Sequence, residues 1–165
     1  MKKKFNKHIL LIAVLSIFLL AVGINQITKT PLYQSISFLV SKNSIYDDDK
    51  KIANKFNSYN YTTLSSSEIK NGRCDYNFGK FSGMDTIFNI ECKENETLHY
   101  DFDLDLKEGD FKVVLIDPDD KVIKLVDKTG KNNSDYKTKK GNYRIKFVGR
   151  DASAKITFSI KKKEI

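Results

Sequence analysis

Tryptophan is absent from this chain of 165 residues, and proline, cysteine and histidine appear twice each. Each shortage closes off a chemistry. Beyond the N-terminal segment the one histidine is His99, and the two thiols are Cys74 and Cys92. Too few nitrogen and sulfur ligands therefore remain for a zinc site. No serine sits in a nucleophile-elbow sequence, and no Gly-rich run could cradle a phosphate. The EF-hand spacing, with its glycine at position six and glutamate at twelve, is missing as well. No internal repeat is present. Abundant Lys, Asn and Ile with scarce Pro suit a low-GC bacterial genome.

What is present begins with charge. Lys2, Lys3, Lys4 and Lys7 stand without an acid among them, and an apolar run follows from Ile9 to Ile24. A basic patch ahead of such a run is the pattern of an export signal, with the positive end held in the cytoplasm. Residues 1–24 are thus expected to be a signal peptide, cut after Gly23, or an uncleaved signal anchor holding the membrane through residues 9–24. No cysteine follows the run, which excludes a lipid-anchored lipoprotein. Everything beyond is expected to work outside the cytoplasm, where nucleic acid is not a partner.

Charge is uneven in the remainder. Residues 24–120 carry 11 basic and 17 acidic side chains, whereas residues 121–165 carry 14 basic and 4 acidic ones. Such asymmetry fits either a polyanion-binding end or acidic and basic strands that neutralise each other.

Hydrophobic period predicts the fold. Residues 25–71 read as a linker, with Asp47 capping a short helix to about Asn57 that sets Ile52, Ala53 and Phe56 on one face. From Gly72 the period becomes two. Tyr100, Phe102, Leu104 and Leu106 alternate with Asp101, Asp103 and Asp105, and Phe111 to Asp117 is a more continuously apolar strand. Pro118-Asp119-Asp120 turns the chain back into Lys121 to Val126. Lys107 to Asp110 and Gly149 to Ser153 also read as turns, and Thr129 to Lys140 as a loop. Tyr143, Ile145 and Phe147, then Ile156, Phe158 and Ile160, complete the pattern. Short strands with frequent turn signals predict an antiparallel, all-β, jelly-roll-like β-sandwich over residues 72–161, ahead of a basic tail at 162–165.

Four groups are candidates for chemistry. Cys74, Tyr76 and Phe78 share one parity with Phe88, Ile90 and Cys92, so a hairpin centred on Gly83 would set Cys74 opposite Cys92. That spacing permits a disulfide, and the exported compartment favours it. Asp117, Asp119 and Asp120 gather at one turn and could begin a calcium site. Lys139, Lys140, Arg144, Lys146 and Arg150 mark a basic end suited to an anionic envelope polymer or lipid surface, or to neutralising the aspartate strand. His99, with Asp101 or Asp103, offers a hydrolytic pair.

Three stretches carry a resemblance: Phe81-Ser82-Gly83 with Thr86-Ile87, Gly109 through Pro118, and Lys140-Gly141-Asn142-Tyr143 through Gly149. Together they resemble small β-sandwich modules of exported and lipoprotein-type proteins of Gram-positive bacteria. More distantly they resemble the bacterial pre-peptidase C-terminal domain, a jelly-roll accessory module. The resemblance spans roughly residues 72–160, rests on structural motifs, and implies a sandwich, with calcium or polymer binding in some members. The expectation is a non-catalytic exported module that binds or builds the cell envelope. The alternatives are a calcium-dependent adhesion module and a small extracellular hydrolase using His99.

Overall fold

A computed structural model describes residues 45–163. The expected export segment, residues 1–24, and the first part of the expected linker lie outside the described residues. A four-residue helix α1 (Asp49–Ile52) is followed by seven strands: β1 (Ser58–Asn60), β2 (Thr63–Ser66), β3 (Arg73–Cys92), β4 (Thr97–Ile116), β5 (Val122–Val126), β6 (Gly130–Lys137) and β7 (Gly141–Lys163). All pairings are antiparallel, and β7 runs between β3 and β4.

Three of the strands have 20 residues or more, and all three bend at one place. The β3–β7 ladder slips between Phe78 and Phe81 and again before Gly83, while the β4–β7 ladder slips on either side of Glu108. These irregularities are neighbours, because Phe81 faces Ala152, Glu108 faces Ser153 and Asp110 faces Arg150. Bulges bend and twist the strand that carries them. Gly83 and Gly109, with φ of 111° and 70°, supply the left-handed backbone that such a crease needs.

The crease folds one sheet into two layers. The first holds β2, residues 73–78 of β3, 154–163 of β7, 97–106 of β4, and β6. The second holds β1, residues 83–92, 141–149 and 110–116 of the same long strands, and β5. Rings meet across the layers: Tyr76 on Phe147 at 5.4 Å, Phe88 on Phe158 at 6.2 Å and Tyr136 on Tyr143 at 6.3 Å. The interior between them buries Leu104, Val113, Leu115, Tyr143, Ile145, Phe147, Ile156 and Phe158, as the alternation predicts. Phe102 is half-buried at its margin. The architecture is an antiparallel β-sandwich.

A second, smaller core lies on the outside of the second layer. There Ile45 and Ile52, from the segment around α1, cover Met84, Val114, Ile116 and Val148. This explains the unbroken apolar run in β4: Val113 and Leu115 face the interior, while Val114 and Ile116 face the covering arm.

Several expectations are corrected. Residues 74–92 form no hairpin. They are one strand, with Cys74 opposite Phe158 at one end and Cys92 opposite Gly141 at the other. The pairing that would set Cys74 opposite Cys92 is absent, and both thiols are free and buried in place of the expected disulfide. The turns expected at Gly79–Gly83, Lys107–Asp110 and Gly149–Ser153 are the crease, where chains bend without reversing. Residues 129–140 contain β6, and the described part of the linker contributes α1, β1 and β2 to the fold. The helix ends at Ile52 instead of about Asn57, leaving Phe56 77% exposed.

Candidate functional site

A cleft of about 900 Å³ opens on the outer face of the second layer, beside the arm. Its wall on one side is fastened by Asn57. The Asn57 amide donates to Asp85 Oδ1 at 2.7 Å, and its oxygen accepts from the Thr86 N–H at 3.0 Å and hydroxyl at 2.8 Å. Beneath the arm Lys146 is fully buried; its ammonium donates to the carbonyls of Asn54 and, at 3.4 Å, Phe56. Desolvation, and then the nearby Arg144 charge, bring the Lys146 pKa down to about 8.

The opposite wall is the turn after β4. Asp117 Oδ1 accepts from the N–H groups of Asp119 and Lys121, each at 2.9 Å, an Asx-type turn that lets Asp120 adopt φ of 59°. Gly141 packs so closely on Pro118 that a Cβ would come within 2.4 Å of the proline ring.

The floor is set by register. Asn89 pairs with Arg144 and Glu91 with Asn142, so all four side chains emerge on one face. Asn89, Glu91 and Asn142 are exposed. Arg144 lies lower, at 12% side-chain exposure; its Nη2 donates to Asp120 Oδ1 at 2.6 Å, and its Nη1 is buried with no hydrogen-bond partner. An orphaned guanidinium N–H is costly unless something accepts from it. The lining contains no Ser, Cys or His, and the hydroxyl of Thr86 is committed to Asn57. This arrangement can bind, with amides offering a donor and an acceptor each.

The residues singled out by sequence distribute otherwise than expected. Asp117, Asp119 and Asp120 serve the turn and pair with Lys139 and Arg144. Among the described residues no group of three acidic, histidine or cysteine side chains is placed to hold a metal ion. The basic residues form no stripe. Lys139 is tied to Asp119, Lys146 is buried, and Arg150 bridges Asp110 at 2.8 Å and Asp47 at 2.5 Å beneath Tyr46; Lys140 is exposed. Nor do Arg144 and Lys146 lie beside Asp101, Asp103 and Asp105, which occupy the first layer.

His99 pairs with neither Asp101 nor Asp103. Its Nδ1 lies 2.5 Å from Asp135 Oδ1 and 3.1 Å from the Lys163 ammonium. The His99 hydrogen bond, followed by the Lys163 charge, holds the Asp135 carboxyl below its ordinary range. Asp101 instead accepts from Ser159 Oγ at 2.6 Å.

Nothing in the sequence distinguishes Asn89, Glu91 and Asn142 as binding residues. Their alternation marks them as wet-face residues, and that signal is shared by every solvated strand.

No family model matches the chain, and no curated protein matches it. Among solved structures it is similar to TmCBM61, a carbohydrate-binding module in complex with β-1,4-galactotriose, at 14% identity over 62% of this chain and 90% of that one, with a TM-score of 0.39. A CBM4 structure gives 8% identity over 73% and 97% of the two chains, with a TM-score of 0.36. PliG of Aeromonas hydrophila, a periplasmic inhibitor of g-type lysozyme, gives 14% over 59% and 88%, with a TM-score of 0.33. Likeness at this level leaves the function to be read from the chain's own surface.

Proposed function

We propose that the chain is a non-catalytic binding module of the cell envelope, exported by residues 1–24, and that the cleft holds a hydroxyl-rich polymer. The observation that carries this reading is the buried, unpartnered Arg144 Nη1 lying among exposed amides on the cleft floor. Asn89 and Asn142 present amides from neighbouring strands, and Arg144 Nη1 is a desolvated donor without an acceptor. Hydroxyls both donate and accept, so they match amides pair by pair. Glu91 and Asp120 add acceptors and disfavour a densely anionic chain at the same place.

Retention of the full-length protein on immobilised neutral wall polysaccharide tests the reading. Wild type is expected to be retained, at low and at high salt alike, and an Asn89→Ala/Asn142→Ala variant to be lost from the column. Equal retention of the variant would remove the cleft from the account. Retention only on an anionic polymer, disappearing with salt, would replace the hydroxyl-rich ligand by a polyanion.

A further inference from the structure

The large hydrophobic side chains that remain exposed among the described residues are Phe56, Tyr59, Tyr61, Leu64 and Ile69, all from one short stretch of chain. That stretch forms β1 and β2, the edge strands of the two layers on the same side of the sandwich. Tyr59 stacks on Tyr61 with ring centres 6.0 Å apart, and with Leu64 they line a small opening down to Tyr76, Phe78, Phe81 and Phe147 of the core.

Charge separates this side from the other. Residues 56–67 contain no charged side chain and no proline, although 30% of the whole chain is charged. On the far side β5 carries Lys124, and β6 carries Lys131, Asp135 and Lys137. Charge and proline are the usual means by which an edge strand is kept from pairing. One side of this sandwich has them and the other does not.

We infer that β2 is a self-association edge, on which a second copy of this chain adds its own β2 in antiparallel register. The Ser67 N–H donates to the Asp75 carbonyl at 2.9 Å, so by alternation residues 63, 65 and 67 bond inward to β3. The N–H and C=O of Leu64 and Ser66 then face the open edge. A two-fold axis at Ser65 sets Leu64 opposite Ser66 of the second copy, and each pair exchanges two backbone hydrogen bonds. Electrostatics favours this occupant. Across a dyad a charge on the axis meets its own copy, and like charges so placed are destabilising, so an edge free of charge suits self-pairing. β2 itself offers a charged partner strand no counter-charge.

The register gives a direct test. Ser65 would occupy a non-hydrogen-bonded position opposite itself, with Cα atoms about 4.5 Å apart, within disulfide range. Cys74 and Cys92 are buried and do not compete. Full-length Ser65→Cys, treated with a mild oxidant, is expected to run as a covalent dimer on a non-reducing gel. Asn133→Cys, on exposed β6, is expected to stay monomeric, and Ser66→Lys added to Ser65→Cys to abolish the dimer. No dimer at position 65, equal dimer at position 133, or a dimer indifferent to Ser66→Lys would overturn the inference. Cross-linking of position 65 to a different protein would overturn it in favour of an unlike partner.

Discussion

Phe147 and Phe158 belong to the same strand, and their rings nevertheless meet edge to face at 6.3 Å. An extended strand rises about 3.3 Å per residue, so the eleven steps between them would span roughly 36 Å if β7 were straight. The contact exists because β7 turns over at Gly149–Ser153, in step with β3 and β4. Both layers are therefore made from the same three strands, and the interior depends on the crease.

Phe158 is the clearest place to measure that dependence. It is fully buried and touches Phe88, Tyr100 and Phe147, rings from both layers. Phe158→Ala is expected to lower stability by about 3–5 kcal/mol in denaturant unfolding followed by circular dichroism. A loss below about 1 kcal/mol would mean that the layers are not held together there.

Gly83 tests the crease itself. With φ of 111° it adopts a conformation that L side chains rarely take, and a Cβ would fall 2.0 Å from the Ser58 carbonyl oxygen. Gly83→Ala is expected to destabilise by more than about 1 kcal/mol and to free β1, seen as faster amide exchange at Ser58–Asn60. Unchanged exchange would show that β1 is not held against Gly83.

The cysteines give a prediction about reactivity. Burial pushes the Cys74 thiol up to about 12 and raises that of Cys92, so neither forms thiolate near neutrality. Both are expected to resist a maleimide in the native protein and both to react after denaturation without reductant. Protection surviving denaturation, and removed by reductant, would reveal a bond between two thiols that are free in this structure.

Lys146 makes stability depend on pH. Its ammonium, at about 8 when folded, would titrate near 10.5 when free in solution. Between those values the unfolded chain binds more protons than the folded one, so stability rises with pH across the window. Below pH 8 the cost of burying the charge is present in full. The difference in melting temperature between wild type and Lys146→Met is expected to shift in favour of wild type from pH 8 to pH 10. A difference flat with pH would place the ammonium in contact with water.

The strands were legible residue by residue, since an alternating strand must bury one parity. That is why Leu104, Val113, Leu115, Tyr143, Ile145, Phe147, Ile156 and Phe158 were identifiable as core. The hairpin from Phe111–Asp117 into Lys121–Val126 was legible too, because Pro118 and the aspartates fix a local turn. Glycine and aspartate permit unusual backbone without saying which way the chain then goes. The same residues that could close the tip of a hairpin at Gly83 instead fold a sheet over, and the parity that matched Cys74 with Cys92 is kept by any strand. Whether the chain reverses or bends depends on what lies alongside, and β7, about 70 residues later, takes the place beside β3. The cleft follows the same rule. Its side chains are visible in the sequence as wet-face residues, but Asn89 meets Arg144 only through that long-range register. Period and turn propensity are local energies and can be read locally. Pairing is decided by distant strands competing for one edge, and only the assembled sheet resolves it.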